Sequence, residues 1–129
     1  MHWADQYLGW KYLDKGTTRE GIDCLGLLRL YWIEQIQFEI PSFRDVVARS
    51  AAVRGIAKYF EPVPIAEHRV HDAVVMNTEV WDGKRWVLAE LHVGVCVAPR
   101  LVLHAQEGFL TQIDEMRTLR VTRILRPVR

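Results

Sequence analysis

The stretch Gly21-Ile22-Asp23-Cys24-Leu25-Gly26-Leu27 places a cysteine where a polar, glycine-containing loop turns into an apolar helix. From Cys24 onward Leu27, Leu28, Tyr31, Trp32 and Gln35 recur at steps of three and four, so the segment predicts an amphipathic helix facing a core and ending before Pro41. The first turn of a helix carries unpaired N–H groups and the positive end of the macrodipole, and both favour a thiolate. The thiolate is the nucleophilic form of cysteine, so this position favours an activated Cys24. Asp23 stands where a helix cap or a substrate contact would sit, and Asp favours the cap. Gly26 costs the helix about 1 kcal/mol relative to alanine, and its missing side chain lets a substrate or neighbouring strand approach closely.

Outward from this helix, Trp3 to Tyr12 predicts a short helix ending near Gly9, followed by a turn-rich loop from Asp14 to Gly21. A weaker helix is expected from about Phe43 to Tyr59. Pro62 and Pro64 break the chain, and strands follow. They are Ala73 to Met76, a hairpin turning at Asp82-Gly83 between Trp81 and Trp86, Val87 to Val97, Leu101 to Ala105, and Leu119 to Leu125. Helices first and strands afterwards imply an α+β fold, with N-terminal helices on an antiparallel β-sheet.

A cysteine nucleophile needs a base, and the base usually needs a group to orient it. Of the five histidines, His2 lies at the terminus, and His68 and His71 lie in a polar segment with no obvious partner. His92 opens the strand His92-Val93-Gly94-Val95-Cys96-Val97, and His104 closes Leu101-Val102-Leu103-His104. A hairpin turning about Ala98 would set 92 opposite 104, 94 opposite 102 and 96 opposite 100. Directly opposed β-carbons lie about 4.5–5.5 Å apart, so the two imidazoles would be side by side. Cys96 shares strand parity with His92 but lies about 13 Å along the strand, too far to share a metal ion. It is expected to be structural.

Composition narrows the function classes. The chain has 129 residues, enough for one domain spanning 1–129 and too few for two. Seventeen Lys and Arg against sixteen Asp and Glu give no field that would steer nucleic acid. The charge is uneven, since Arg117, Arg120, Arg123, Arg126 and Arg129 crowd the C-terminus. These predict a solvated edge strand and tail, with docking to an acidic partner as the alternative. No apolar run approaches the roughly 18 residues that span a bilayer, so membrane insertion is not expected. The start Met1-His2-Trp3-Ala4-Asp5 lacks secretory-signal features, so synthesis in the cytoplasm without a signal peptide is expected. Two cysteines are too few for a disulfide scaffold or a four-cysteine zinc site, and no metal or cofactor is expected. A Cys24–Cys96 bridge is possible on paper, but a reactive thiol plus a structural one fits better.

The segment Leu8-Gly9-Trp10-Lys11-Tyr12 through Gly21-Ile22-Asp23-Cys24-Leu25-Gly26-Leu27-Leu28-Arg29 resembles the signature of NlpC-type cell-wall cysteine peptidases. His71-Asp72-Ala73-Val74-Val75-Met76 resembles that family's Gly-Asp strand start, His92-Val93-Gly94-Val95 its histidine strand, and His104 its third polar position. The resemblance implies a papain-like fold in which Cys24 attacks, His92 is the base, His104 orients it and Tyr12 sits near the oxyanion. Asp23 and Gly26 would lie on the substrate side. It implies peptidoglycan peptides as substrate, typically the D-glutamyl–diaminopimelate link. Within the family the chain is most similar to short tail-tip peptidases of long-tailed bacteriophages, which implies tail-tip or baseplate partners and a place in the virion. Alternatives are a non-enzymatic tail subunit with the same fold, or an amidase or acyltransferase on another amide. Three positions depart from the pattern: Leu25 for the usual serine or tryptophan, His71 for glycine, and Lys15-Gly16 for a double glycine.

Overall fold

A computed structural model describes residues 2–40 and 59–128. The expected helix from Phe43 lies outside the described residues up to Tyr59. A 3-10 turn at Trp3–Tyr7 opens the fold, shorter than the helix expected there. A two-stranded ribbon follows, β1 (Thr17–Thr18) with β2 (Gly21–Ile22), and then helix α1 (Cys24–Ile36). The remaining strands are β3 (Phe60–Val63), β4 (Ala73–Trp81), β5 (Trp86–Ala98), β6 (Leu101–His104), β7 (Gln112–Glu115) and β8 (Val121–Pro127). They form a six-stranded antiparallel sheet in the order β3-β8-β4-β5-β6-β7. Among the described residues no helix is long and apolar enough to cross a membrane.

The period-two alternation of the strands sorts their side chains into two cores. Ala73, Val75, Val93, Val95, Val97, Leu103 and Leu125 meet Leu27, Leu28, Tyr31, Trp32 and Ile36 of α1. Val74, Met76, Cys96, Val102 and Ile124 point the other way, where Met116 joins them. Burying Trp32 completely outweighs the propensity lost at Gly26: truncating a core Trp costs about 3–5 kcal/mol against about 1 for the glycine. Its indole Nε1 also donates to the His71 carbonyl at 2.8 Å. Asp82 makes the β4–β5 hairpin by accepting from the Lys84 and Arg85 amides, and Gly83 takes φ +103°.

Two strands escape sequence reading for identifiable reasons. β3 contains Pro62, which reads as a breaker, but β3 is an edge strand paired only with β8, where a missing N–H is tolerated. β7 is the other edge and is too short and polar to show alternation. Consequently β8 is not the edge strand expected from its arginines but lies between β3 and β4. Thr111, unmarked in the sequence, ties the N-terminal segment to the start of β7. Its carbonyl accepts from Gly9 N at 3.0 Å, its hydroxyl from Trp10 N at 2.9 Å, and its amide donates to the Trp10 carbonyl.

His71 holds φ +81°, a conformation that glycine adopts freely and a histidine does not. Three contacts hold it there: its N–H donates to the Cys96 carbonyl at 2.7 Å, its own carbonyl takes the Trp32 indole, and its Nδ1 bonds the Tyr31 hydroxyl at 2.8 Å. His71→Ala loses the Tyr31 contact and keeps the strain, whereas His71→Gly loses the contact and relieves the strain. Denaturant melts should therefore find the Gly variant more stable than the Ala variant by about 1 kcal/mol. Equal stabilities would mean that the backbone there carries no strain.

Candidate active site

Cys24 is buried in the first turn of α1. The Asp23 carboxylate caps the helix, accepting from Gly26 N at 2.7 Å through Oδ1 and from Lys15 N at 2.9 Å through Oδ2. Asp23 N in turn donates to the Gly16 carbonyl at 3.2 Å. A β-carbon on Gly26 would come within 2.2 Å of that same Gly16 oxygen. Gly26 is what lets the Lys15–Gly16 loop close over the helix start. Tyr12 is delivered to the same place: it bridges Ile22, flanked by bonds from Ile22 N to the Lys11 carbonyl and from Leu13 N to the Ile22 carbonyl.

α1 packs against β5 and β6, the strands that carry His92 and His104. Their register differs from the direct 92–104 pairing expected. Gly94 is opposite His104 and Cys96 opposite Val102, because the turn is Pro99-Arg100, with Arg100 at φ +64°, and the ladder shifts between Cys96 and Ala98. The slip is two residues, so parity is kept and both histidines still share a face. They meet diagonally, His92 Nε2 to His104 Nδ1 at 2.8 Å, with the rings edge to face. Gly94 makes this possible. A β-carbon there would lie 2.7 Å from Val102 Cγ1 and 3.0 Å from His104 Cβ.

One functional candidate has no mark in the sequence. On β7, Asp114 Oδ2 lies 2.7 Å from His104 Nε2 and also accepts from Gln112 Nε2 at 2.7 Å. Only the β6–β7 register, with Val102 opposite Asp114 and His104 opposite Gln112, reveals it. Both nitrogens of His104, which is 1% exposed, are thus engaged. The two histidines line an open groove of about 400 Å³ together with Met76, Trp86, Gln106, Leu119 and Arg120.

The other candidates separate from this cluster. His68 and His71 do have partners: His68 Nε2 accepts from Arg100 N, and His71 bonds Tyr31. The four described arginines of the C-terminal row are compensated by carboxylates: Arg117 by Glu115, Arg120 by Glu79, Arg123 by Glu90 and Arg126 by Asp72. Both cysteines are buried, and no disulfide joins them. Cys96 donates its S–H to the Ala98 carbonyl at 3.1 Å, and burial pushes its thiol up to about 11.

No family model matches the sequence, and no curated protein matches it. Solved structures do. The NlpC/p60 domain of the peptidoglycan hydrolase SagA superposes with a TM-score of 0.65 at 13% identity, covering 95% of this chain and 92% of that one. A Staphylococcus aureus subsp. aureus Mu50 protein, similar to lipoprotein and of the NLP/P60 family, superposes with a TM-score of 0.68 at 14% identity. That match covers 98% of this chain and 39% of the other, so this chain spans well under half of the staphylococcal protein. At such identities what is shared is the fold. The chain has the papain-like α+β fold of NlpC/p60 domains.

A thiol raised to about 11 is ionised in roughly one molecule in ten thousand at pH 7. Iodoacetamide should therefore leave Cys96 unmodified in the native protein below about pH 10 and label it once denaturant is added. Mass mapping of the alkylated peptides checks this. Native labelling of Cys96 at pH 7 at the rate of an exposed thiol would contradict the buried, protonated assignment.

Proposed function

We propose that the chain is a cysteine peptidase that hydrolyses peptide bonds of bacterial peptidoglycan. The observation that carries this reading is the 2.8 Å His92–His104 pair on strands packed against the helix that Cys24 opens. The NlpC/p60 fold and the hydrolase domain among its neighbours support the substrate class. His92 takes the Cys24 proton, and the thiolate adds to the scissile carbonyl carbon. Tyr12, held beside Ile22, lies near the oxygen that gains charge. Collapse of the adduct expels the amine, which leaves with the proton from His92, and Cys24 stays acylated. Water then gives a proton to His92 and its oxygen to the acyl carbon, and the thiol is restored. Asp23 and Gly26 act on substrate through the backbone they hold at the helix start.

The setting we propose is a phage tail tip, on the strength of the resemblance to tail-tip peptidases. Attachment to a particle at the wall would raise the local concentration of a small enzyme acting on a polymer. Arg120, Arg123 and Arg126 do not act there as a block of free charge, because the partners named above compensate them.

Incubating the protein with purified peptidoglycan and reading released fragments by mass spectrometry tests the activity. Cys24→Ala and His92→Ala should abolish release with melting curves nearly unchanged, while Cys96→Ala stays active. His104→Asn or His104→Gln should retain more activity than His92→Ala, since an orienting group need make only one hydrogen bond. A dead Cys96→Ala enzyme, or an active Cys24→Ala one, would remove Cys24 from the mechanism. Mass spectrometry of intact purified particles, beside a lysate control, should find the chain in the virion. Its presence only as free protein would refute the tail-tip setting.

A further inference from the structure

A neutral imidazole has one N–H and one bare nitrogen, so a hydrogen bond between two neutral imidazoles can run in either direction. The His92 Nε2–His104 Nδ1 contact alone leaves that direction open. If His104 donated from Nδ1, its bare Nε2 would face Asp114 Oδ2 at 2.7 Å, lone pair against carboxylate. An ionised carboxylate only accepts, and the same oxygen already takes the Gln112 amide, which only donates. The proton of His104 therefore sits on Nε2. Its Nδ1 becomes the acceptor, and His92 must donate from Nε2. His92 Nδ1 is then the bare nitrogen.

From this we infer that Asp114 is a positioning residue, one that sets the direction of the histidine pair so that His92 presents Nδ1 as the base. Three adjacent strands build the device on one sheet face, with His92 on β5, His104 on β6 and Asp114 on β7. Burial differs along it in the useful sense. His104, 1% exposed, is shielded from water that would scramble its bonds, whereas Asp114 at the end of the row is about a third exposed. In the reverse direction His92 would carry its proton on Nδ1 and meet a nucleophile with a donor instead of a lone pair. When His92 becomes an imidazolium, the carboxylate at the end of the row also favours the charge, and no second proton transfer is needed.

The role rests on the peptidase reading, so the test includes readouts that need no wall substrate. In the full chain with ¹⁵N-labelled histidines, long-range nitrogen–proton spectra assign each tautomer. The wild type should show N–H on Nε2 of both His92 and His104. Asp114→Ala should give a mixture at His104 and at His92. Asp114→Asn, whose amide oxygen can take the same two donors, should restore the wild-type pattern. Alkylation of Cys24 by iodoacetamide should reach half its maximal rate at higher pH in the Ala variant than in wild type. On peptidoglycan, kcat of the Ala variant should fall about 10–100-fold with KM within about twofold, and the Asn variant should recover most of the loss. Unchanged tautomers and an unchanged alkylation profile in Asp114→Ala would overturn the inference whatever the activity, and would make Asp114 a clip that secures β7. A wild-type protein that shows the expected tautomers yet releases nothing from peptidoglycan would sink the substrate reading and leave the relay standing.

Discussion

The packing of α1 on β5 and β6 is the constraint from which the candidate site follows. Trp32, Leu28 and Tyr31 are buried in one cluster with the Val93, Val95 and Leu103 face of the sheet. Once that face is covered, the helix start has one position. Cys24 is therefore located by residues one to two turns away that have no chemistry of their own. The Asp23 carboxylate then fixes the loop to the helix, since one oxygen holds Gly26 N and the other Lys15 N. Packing chooses the place, and the cap sets the local geometry.

The parts of this arrangement that could be read from sequence are those set by short-range rules. The Cys24 helix follows from its three-and-four spacing and the hairpin from Asp82-Gly83, and both stand in the structure. What could not be read depends on edges and register. Pro62 signals a break in an interior strand but is tolerated in β3, an edge strand paired only with β8. Asp114 becomes meaningful only when β7 pairs with β6, and β7 is too polar to announce itself. The histidine contact was legible for a reason that tolerates error: a slip of two residues preserves the face, whereas a slip of one would have separated the rings.

The departures from the NlpC-type pattern show how the fold persists at 13% and 14% identity to its neighbours. Two of the three fall where the backbone is left-handed, Lys15 at φ +62° and His71 at φ +81°. Glycine takes these angles at little steric cost, while other residues need outside support. Lys15 has the Asp23 carboxylate on its amide, and His71 has Tyr31, Trp32 and Cys96 around it.

The C-terminal arginines make the same point about context. Spaced three apart on a chain they look like a basic stripe. With β8 inside the sheet, Glu79 on β4, Glu90 on β5 and Asp72 just before β4 supply carboxylates to Arg120, Arg123 and Arg126. The pairs are not equivalent. Arg120–Glu79 is more than half exposed on both sides and 3.5 Å long, so it is worth at most about 1 kcal/mol. Arg126 grips both oxygens of Asp72, which is 3% exposed and also accepts from Arg69 N. Losing Arg126 would leave the buried Asp72 carboxylate without its cation, which costs several times more than losing the exposed pair. Asp72 lies immediately after His71, so Arg126, the least exposed described member of the row, also holds the left-handed corner from which β4 departs. That corner presents the His71 carbonyl to Trp32, and Trp32 seats the helix that begins with Cys24.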